Sequence, residues 1–379
     1  MATETQVIRA TCLCGAANHD ISLKPSDIPV KGYMCHCDSC RHTFGTMCST
    51  LVFPPAYYEP SQSVLDKVTK YDFSPRVSMY FCTTCGCHML ADGAEEPNQP
   101  RSFWFLGSGT LSRIEGIVDW QMHEFVEDTL DGGFADFLPS INGKHLPRCP
   151  GAAGKGEEVP IPWTAPGRPT TNPSPNDKLL AQCKCTGVSF YISRPSTTST
   201  LAEQYYPDFP PPNSISTTRN ELSYLRSNNT KFLAGLCACD SCRLACGMET
   251  VTWAFVPTCD ISLDEAGKEP WTPDFGTLRQ YESSPGRYRY FCGTCGAMVF
   301  YDCEGRQWLK DVAFGLLRAP EGSRAESWFG WRTSRLGYRD DAIPRAESYS
   351  LAIEKGLREW EERREDEDLS GSSQSGGAL

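Results

Sequence analysis

The chain has 379 residues, room for two or three domains of ordinary size, and 40% of them are hydrophobic, enough for globular cores. A formal net charge of -11 argues against a general nucleic-acid binder, which needs a basic face to displace phosphate counterions. No run of about 18 apolar residues predicts a membrane span, and Met1–Ala10 lacks the apolar core of a signal peptide, so a cytoplasmic protein with no membrane partner is expected.

In chain order, residues 1–146 are expected to form a first domain. It carries Cys12-x-Cys14-Gly15, then Cys35-His36-Cys37-x-x-Cys40-Arg41, then Phe81-Cys82-x-x-Cys85-Gly86. Short aromatic and β-branched runs, Val77–Phe81 and Phe103–Leu106 among them, predict strands. Residues 147–178, rich in Pro, Gly, Thr and Asn, predict an extended linker. A second domain over 179–350 repeats the three clusters in the same order, as Cys183-x-Cys185, Cys237-Ala238-Cys239-x-x-Cys242-Arg243 and Phe291-Cys292-x-x-Cys295-Gly296. Its strand runs include Val251–Val256 and Arg287–Phe291, and an insertion near 195–231 reads as a surface loop able to cover a site. Over 351–379 a charged helix from about Ala352 is expected to give way to a disordered Ser/Gly tail from Ser370. The fold class is therefore mainly β, in two tandem zinc-binding domains.

Twenty cysteines in close pairs, without a secretion signal, point to metal rather than disulfides. A two-residue spacer lets one tight turn offer two thiolates to a tetrahedral ion. Cys82 and Cys85 with Cys12 and Cys14, and Cys292 and Cys295 with Cys183 and Cys185, give one closed four-cysteine structural site per repeat. The middle clusters, Cys35, Cys37 and Cys40 and then Cys237, Cys239 and Cys242, offer three thiolates each. That leaves either an open, reactive metal position or a second structural site completed by an unmatched residue. The expected cofactor is zinc, two ions per domain and four per chain. His36 reads as a fourth ligand, a proton acceptor, or a residue with a short-range hydrogen-bonding or packing role. Arg41 reads as a clamp for a substrate carboxylate, a surface residue or a screen for the thiolate charge. All six histidines lie in the first half, so the first repeat is expected to be the active one if only one is. The six unmatched cysteines, Cys48, Cys87, Cys149, Cys246, Cys259 and Cys303, read as packing residues.

These motifs resemble the family of the glutathione-dependent formaldehyde-activating enzyme and centromere protein V. The first repeat carries the whole pattern, including Gly45 after Arg41 and a later His123-Glu124-Phe125-Val126; the second lacks the histidine of the middle cluster, and its late segment, around Trp328–Trp331, matches loosely. The resemblance implies a β-tent fold and a structural zinc on the four cysteines of each repeat. It implies a catalytic zinc on Cys35, Cys37 and Cys40, with His36 and Arg41 beside it, and on the matching cysteines of the second repeat. The implied activity is a carbon–sulfur lyase acting on a glutathione adduct such as S-(hydroxymethyl)glutathione or another thioether. The rival is a non-catalytic module that binds glutathione or another thiol.

Overall fold

The computed structural model describes residues 5–97, 99–202 and 222–374, the last ten as backbone only. Residues 203–221 of the expected insertion and 375–379 of the expected tail lie outside the described residues. The chain is mainly β and is built on two large sheets of the same design, with three smaller sheets beside them among the described residues. In the first, the strands run in spatial order Val68–Ser74, Val77–Cys82, His88–Gly93, Phe103–Gly107, Ser49–Val52, Val30–Cys35 and Val118–Glu124. The second runs Leu278–Ser284, Arg287–Cys292, Met298–Cys303, Leu309–Ala313, Val251–Pro257 and Lys231–Cys237, where Phe329–Trp331 and Leu225–Arg226 join the edge. Neighbours are antiparallel except at that end, where Val118–Glu124 and Phe329–Trp331 pair in parallel with the strand leading into the middle cluster. Aromatic and β-branched residues suit these pleated, half-buried surfaces.

Ladder register aligns the two repeats better than the sequence does. Trp120 pairs opposite Gly32 and Trp331 opposite Ala234, so these tryptophans correspond. His36 N donates to Glu124 O (2.9 Å) and Ala238 N to Gly337 O (2.9 Å). The counterpart of Glu124-Phe125 is therefore Gly337-Tyr338, not the Trp328–Trp331 stretch. Four residues, Arg332–Arg335, stand where the first repeat has two, Gln121 and Met122, and that length change hid the match.

The repeats are interlocked about an approximate twofold axis. Leu13 N donates to Leu244 O (3.0 Å), and the matched Lys184 N to His42 O (3.0 Å). Gly109 N donates to Gly247 O (3.0 Å), and Gly315 N to Gly45 O (3.1 Å). Such paired, reciprocal contacts are the signature of an isologous dimer, here fused in one chain. One continuous hydrophobic core runs through both halves. Residues expected as a structureless linker carry a small core of their own, Val159 and Trp163 against Val126 and Ala135. The C-terminal helix, expected from about Ala352, starts at Arg339, continues to Gln374 and is broken at Ala346. It ties the halves together. Arg345 forms a buried ion pair with Glu249, while its carbonyl accepts from Ile114 N (3.0 Å) and Glu115 N (2.9 Å). Trp360 packs edge-on against Phe137 (5.1 Å).

Candidate metal centres

The structure gathers fourteen cysteines into four groups, and within each the ligand atoms lie within 4.8 Å of one another: Cys12, Cys14, Cys82 and Cys85; Cys183, Cys185, Cys292 and Cys295; Cys35, Cys37 and Cys40; Cys237, Cys239 and Cys242. Their thiols fit a tetrahedral ion. Sulfur separations of 3.5 Å for Cys12–Cys14 and Cys14–Cys82, 3.4 Å for Cys185–Cys292 and 3.6 Å for Cys237–Cys242 compare with about 3.8 Å across a tetrahedron of 2.3 Å zinc–sulfur bonds.

Local chemistry explains the four-cysteine geometry. The Cys82–Cys85 and Cys292–Cys295 turns end on Gly86 and Gly296, both with positive φ (80° and 75°). Gly86 N donates to Cys82 O and Gly296 N to Cys292 O, each at 2.9 Å. Backbone amides turn toward the sulfurs, Ala17 N to Cys12 (3.4 Å) and Val188 N to Cys183 (3.3 Å), as expected where thiolates gather negative charge.

Each three-cysteine centre sits where a strand paired on both sides, Val30–Cys35 or Lys231–Cys237, turns into a short helix, Asp38–Phe44 or Asp240–Cys246. The middle cysteine caps that helix: Cys37 Sγ accepts from Cys40 N and Cys239 Sγ from Cys242 N, both at 3.3 Å. Left-handed glycines, Gly45 and Gly247, close the other end. No fourth Cys, His, Asp or Glu joins either group among the described residues.

His36 is not gathered with the sulfurs. It is fully buried, and its Nε2 meets His123 Nδ1 at 2.9 Å, while His123 Nε2 bonds to Leu138 O (2.9 Å). Burial pushes both imidazoles far below their ordinary pKa, His123 to about 3. Arg41, 5% exposed, spends its Nε on His36 O (3.3 Å) and pairs with Asp38. Arg243 pairs with Asp240 and reaches across the twofold to Gly109 O (2.6 Å). Of the unmatched cysteines, Cys48, Cys87, Cys246 and Cys303 are buried and none joins a metal group.

Sequence reasoning missed the surroundings of the second centre. Arg289 Nη1 donates to Cys242 Sγ (3.4 Å) and its Nη2 to Ser241 Oγ (2.7 Å), with the guanidinium 4.2 Å from the Tyr301 ring. Burial works against its charge, but the Cys242 thiolate more than offsets this and holds its pKa above the ordinary value. The available signal was an arginine inside the Arg287–Cys292 strand where the matched first-repeat strand has Met79.

A mainly β chain with two tandem sets of cysteine groups, one of four and one of three in each repeat, all able to hold a metal ion, defines a class of duplicated cysteine-rich protein. The family model of the glutathione-dependent formaldehyde-activating enzyme matches residues 7–128 and 221–330, and the chain belongs to that family. Comparison with curated proteins gives no match. No helix among the described residues is long and apolar enough to cross a membrane.

Proposed function

We propose that the protein makes or breaks a carbon–sulfur bond in a glutathione-type thiol adduct, S-(hydroxymethyl)glutathione or a related conjugate, at a three-cysteine centre. The observation that carries this reading is the contrast within each repeat: one group of four thiols able to close a coordination shell, and one of three that no further protein ligand joins. Zinc is the metal proposed, two ions per repeat. When bound by three cysteines it supplies a Lewis-acidic position that favours a thiolate at neutral pH.

The chain's own part is positional. Capping of each helix by its middle cysteine fixes that sulfur, Cys37 or Cys239, relative to the backbone. In the forming direction the thiol loses its proton, its sulfur bonds to the carbonyl carbon, and a proton ends on the former carbonyl oxygen; the reverse breaks the same bond. The reduced cysteines throughout suit a reducing compartment, and we place the activity in the cytoplasm.

The test follows exchange between glutathione and isotopically labelled formaldehyde by NMR. The wild type is expected to accelerate exchange, and the Cys40→Ser/Cys242→Ser double variant to lose the acceleration while keeping its far-UV circular dichroism. Equal rates with and without wild type, together with glutathione binding, would replace the lyase reading with the thiol-binding module.

A further inference from the structure

The two three-cysteine centres share a backbone and differ in nearly everything around it. Crossing the second sheet in register, Arg289, Tyr301, Asp311 and Phe255 lie side by side. The first sheet fills the corresponding row with Met79, Ala91 and Phe105. A polar, charged row thus stands beside the second thiolate group where the first has apolar packing.

The charges differ in sign as well. Around the first centre, Asp38 N bonds to Asp128 Oδ2 (3.3 Å), and Glu124 is held by Ala153 N (2.8 Å). Burial chiefly, with a contribution from the Cys37 charge, raises the pKa of Glu124 and of Asp128. An anion approaching this side meets carboxylates. At the second centre the place of Glu124 is taken by Gly337, and arginines stand beside the acids that remain, Asp240 and Asp311. Arg332 is half-buried, feels the charge of Cys237 and lies 5.7 Å over the Phe255 ring. The carboxylate whose charge reaches it is that of Asp311, which is itself paired with Arg306. Burial chiefly, then the nearby Arg335 and Arg226, press its pKa down to about 10 against the opposing charges of Asp311 and Cys237.

A third difference is one of exposure. Phe125 and Tyr338 occupy the same left-handed position beside their centres, with φ 56° and 54°. A bulky side chain in that conformation costs on the order of 1–3 kcal/mol and persists where surrounding structure or function holds it. Phe125 is half-buried, whereas Tyr338 is 70% exposed and within the field of Cys237, Cys239 and Cys242.

We propose that the centres are not equivalent: Cys237, Cys239 and Cys242 form the ligand-receiving one, built for a thiol that also carries a carboxylate, and Cys35, Cys37 and Cys40 serve structure. Arg289 balances the surplus negative charge of three thiolates around a divalent ion. Arg332 takes the ligand's carboxylate, and Tyr338 flanks the ligand's carbon chain. This rests on the thiol-handling reading above and reverses the expectation, drawn from histidine content, that the first repeat is the active one.

The test loads the full chain with cobalt(II) and titrates two probes, 3-mercaptopropionate and the uncharged 2-mercaptoethanol, following the thiolate-to-cobalt charge-transfer band. The closed four-cysteine centres contribute a constant background. The band change with 3-mercaptopropionate is expected to survive Cys40→Ser and to vanish in Cys242→Ser. Arg332→Gln, which needs no core rearrangement, is expected to weaken 3-mercaptopropionate roughly tenfold, the size of one charge-assisted hydrogen bond, and to leave 2-mercaptoethanol unchanged. A band change lost in Cys40→Ser but kept in Cys242→Ser overturns the assignment and leaves the thiol reading standing, as does an Arg332→Gln variant with unaltered affinity for both probes. No band change with either thiol in the wild type overturns both.

Discussion

His88 and Met298 hold matched positions on either side of the twofold, and the difference between them has a pH signature. His88 lies between Phe44 (4.7 Å) and Phe81 (5.8 Å), fully buried, and neither ring nitrogen completes a hydrogen bond although backbone groups of Thr43 and Gly296 approach it. Burial pushes its pKa down from 6.5 to about 4. Above pH 6.5 the ring is neutral folded or unfolded and contributes nothing to pH dependence. As pH falls below 6.5 the unfolded chain takes up a proton that the folded chain refuses until about pH 4, so stability is lost through that window. His88→Met, which gives the first repeat the residue of the second, is expected to reduce the stability lost between pH 7 and pH 5 by about 2 kcal/mol relative to wild type. Urea midpoints of both proteins at the two pH values measure it; parallel losses would show that His88 is not buried in its neutral form. At this scale the sequence was legible where chemistry is carried by spacing, as in Cys82-x-x-Cys85-Gly86. It was not legible where a side chain's meaning depends on what folds over it. His36 beside two cysteines leaves a ligand, a proton acceptor and a hydrogen-bonding or packing residue all open, and its partner, the ring of His123, lies 87 residues away. Arg289 reads as an ordinary strand residue until Cys242 is placed against it.

The helices Asp38–Phe44 and Asp240–Cys246 connect each three-cysteine centre to the opposite repeat. Their capping glycines do two jobs at once. Gly247 has φ 82°, and a Cβ there would come within 1.9 Å of His88 O; Gly45 has φ 74°, and its Cβ would meet Met298 O at 2.3 Å. Each obstacle is backbone and cannot swing aside. Gly247→Ala is therefore expected to lower stability by about 2 kcal/mol or more, the left-handed penalty plus separation of the sheets. Thermal denaturation checks this, and a variant within 0.5 kcal/mol of wild type (about the noise of a neutral surface change) would show that the repeats do not touch there. Each glycine follows the arginine of its cluster by four residues, so the turn was legible. The close approach was not, because nothing local to Arg243-Leu244-Ala245-Cys246-Gly247 encodes the distance to His88. The strand segments were legible for the opposite reason: aromatic and β-branched content acts within a few residues.

At the scale of the molecule, the duplication was plain in the cysteine pattern, but the interlock was not, since it is made largely of backbone contacts. Leu13 N to Leu244 O and Lys184 N to His42 O tie the four-cysteine loop of each repeat to the three-cysteine helix of the other. Gly86 faces the Phe291 ring as Gly296 faces Phe81. Neither half closes its own core: Phe44, Met47 and Phe81 of the first and Cys246, Met248 and Phe291 of the second are buried in the whole chain, and several of these meet across the axis. A fragment ending at residue 178 would leave the first set exposed, a patch that a monomer rarely tolerates. The backbone contacts are nearly independent of sequence, so a second copy of the fragment can supply them. The side chains fit less well, because Phe44 would stand where the native partner has the smaller Cys246, and overpacking at one such position costs roughly 1–3 kcal/mol. The isolated fragment, expressed with zinc, is expected to sediment as a weak dimer or larger species, and Phe44→Cys, which restores the volume found in the second repeat, to tighten the dimer. A folded fragment that stays monomeric at tens of micromolar would mean that each repeat closes its own core and that the twofold contacts contribute little.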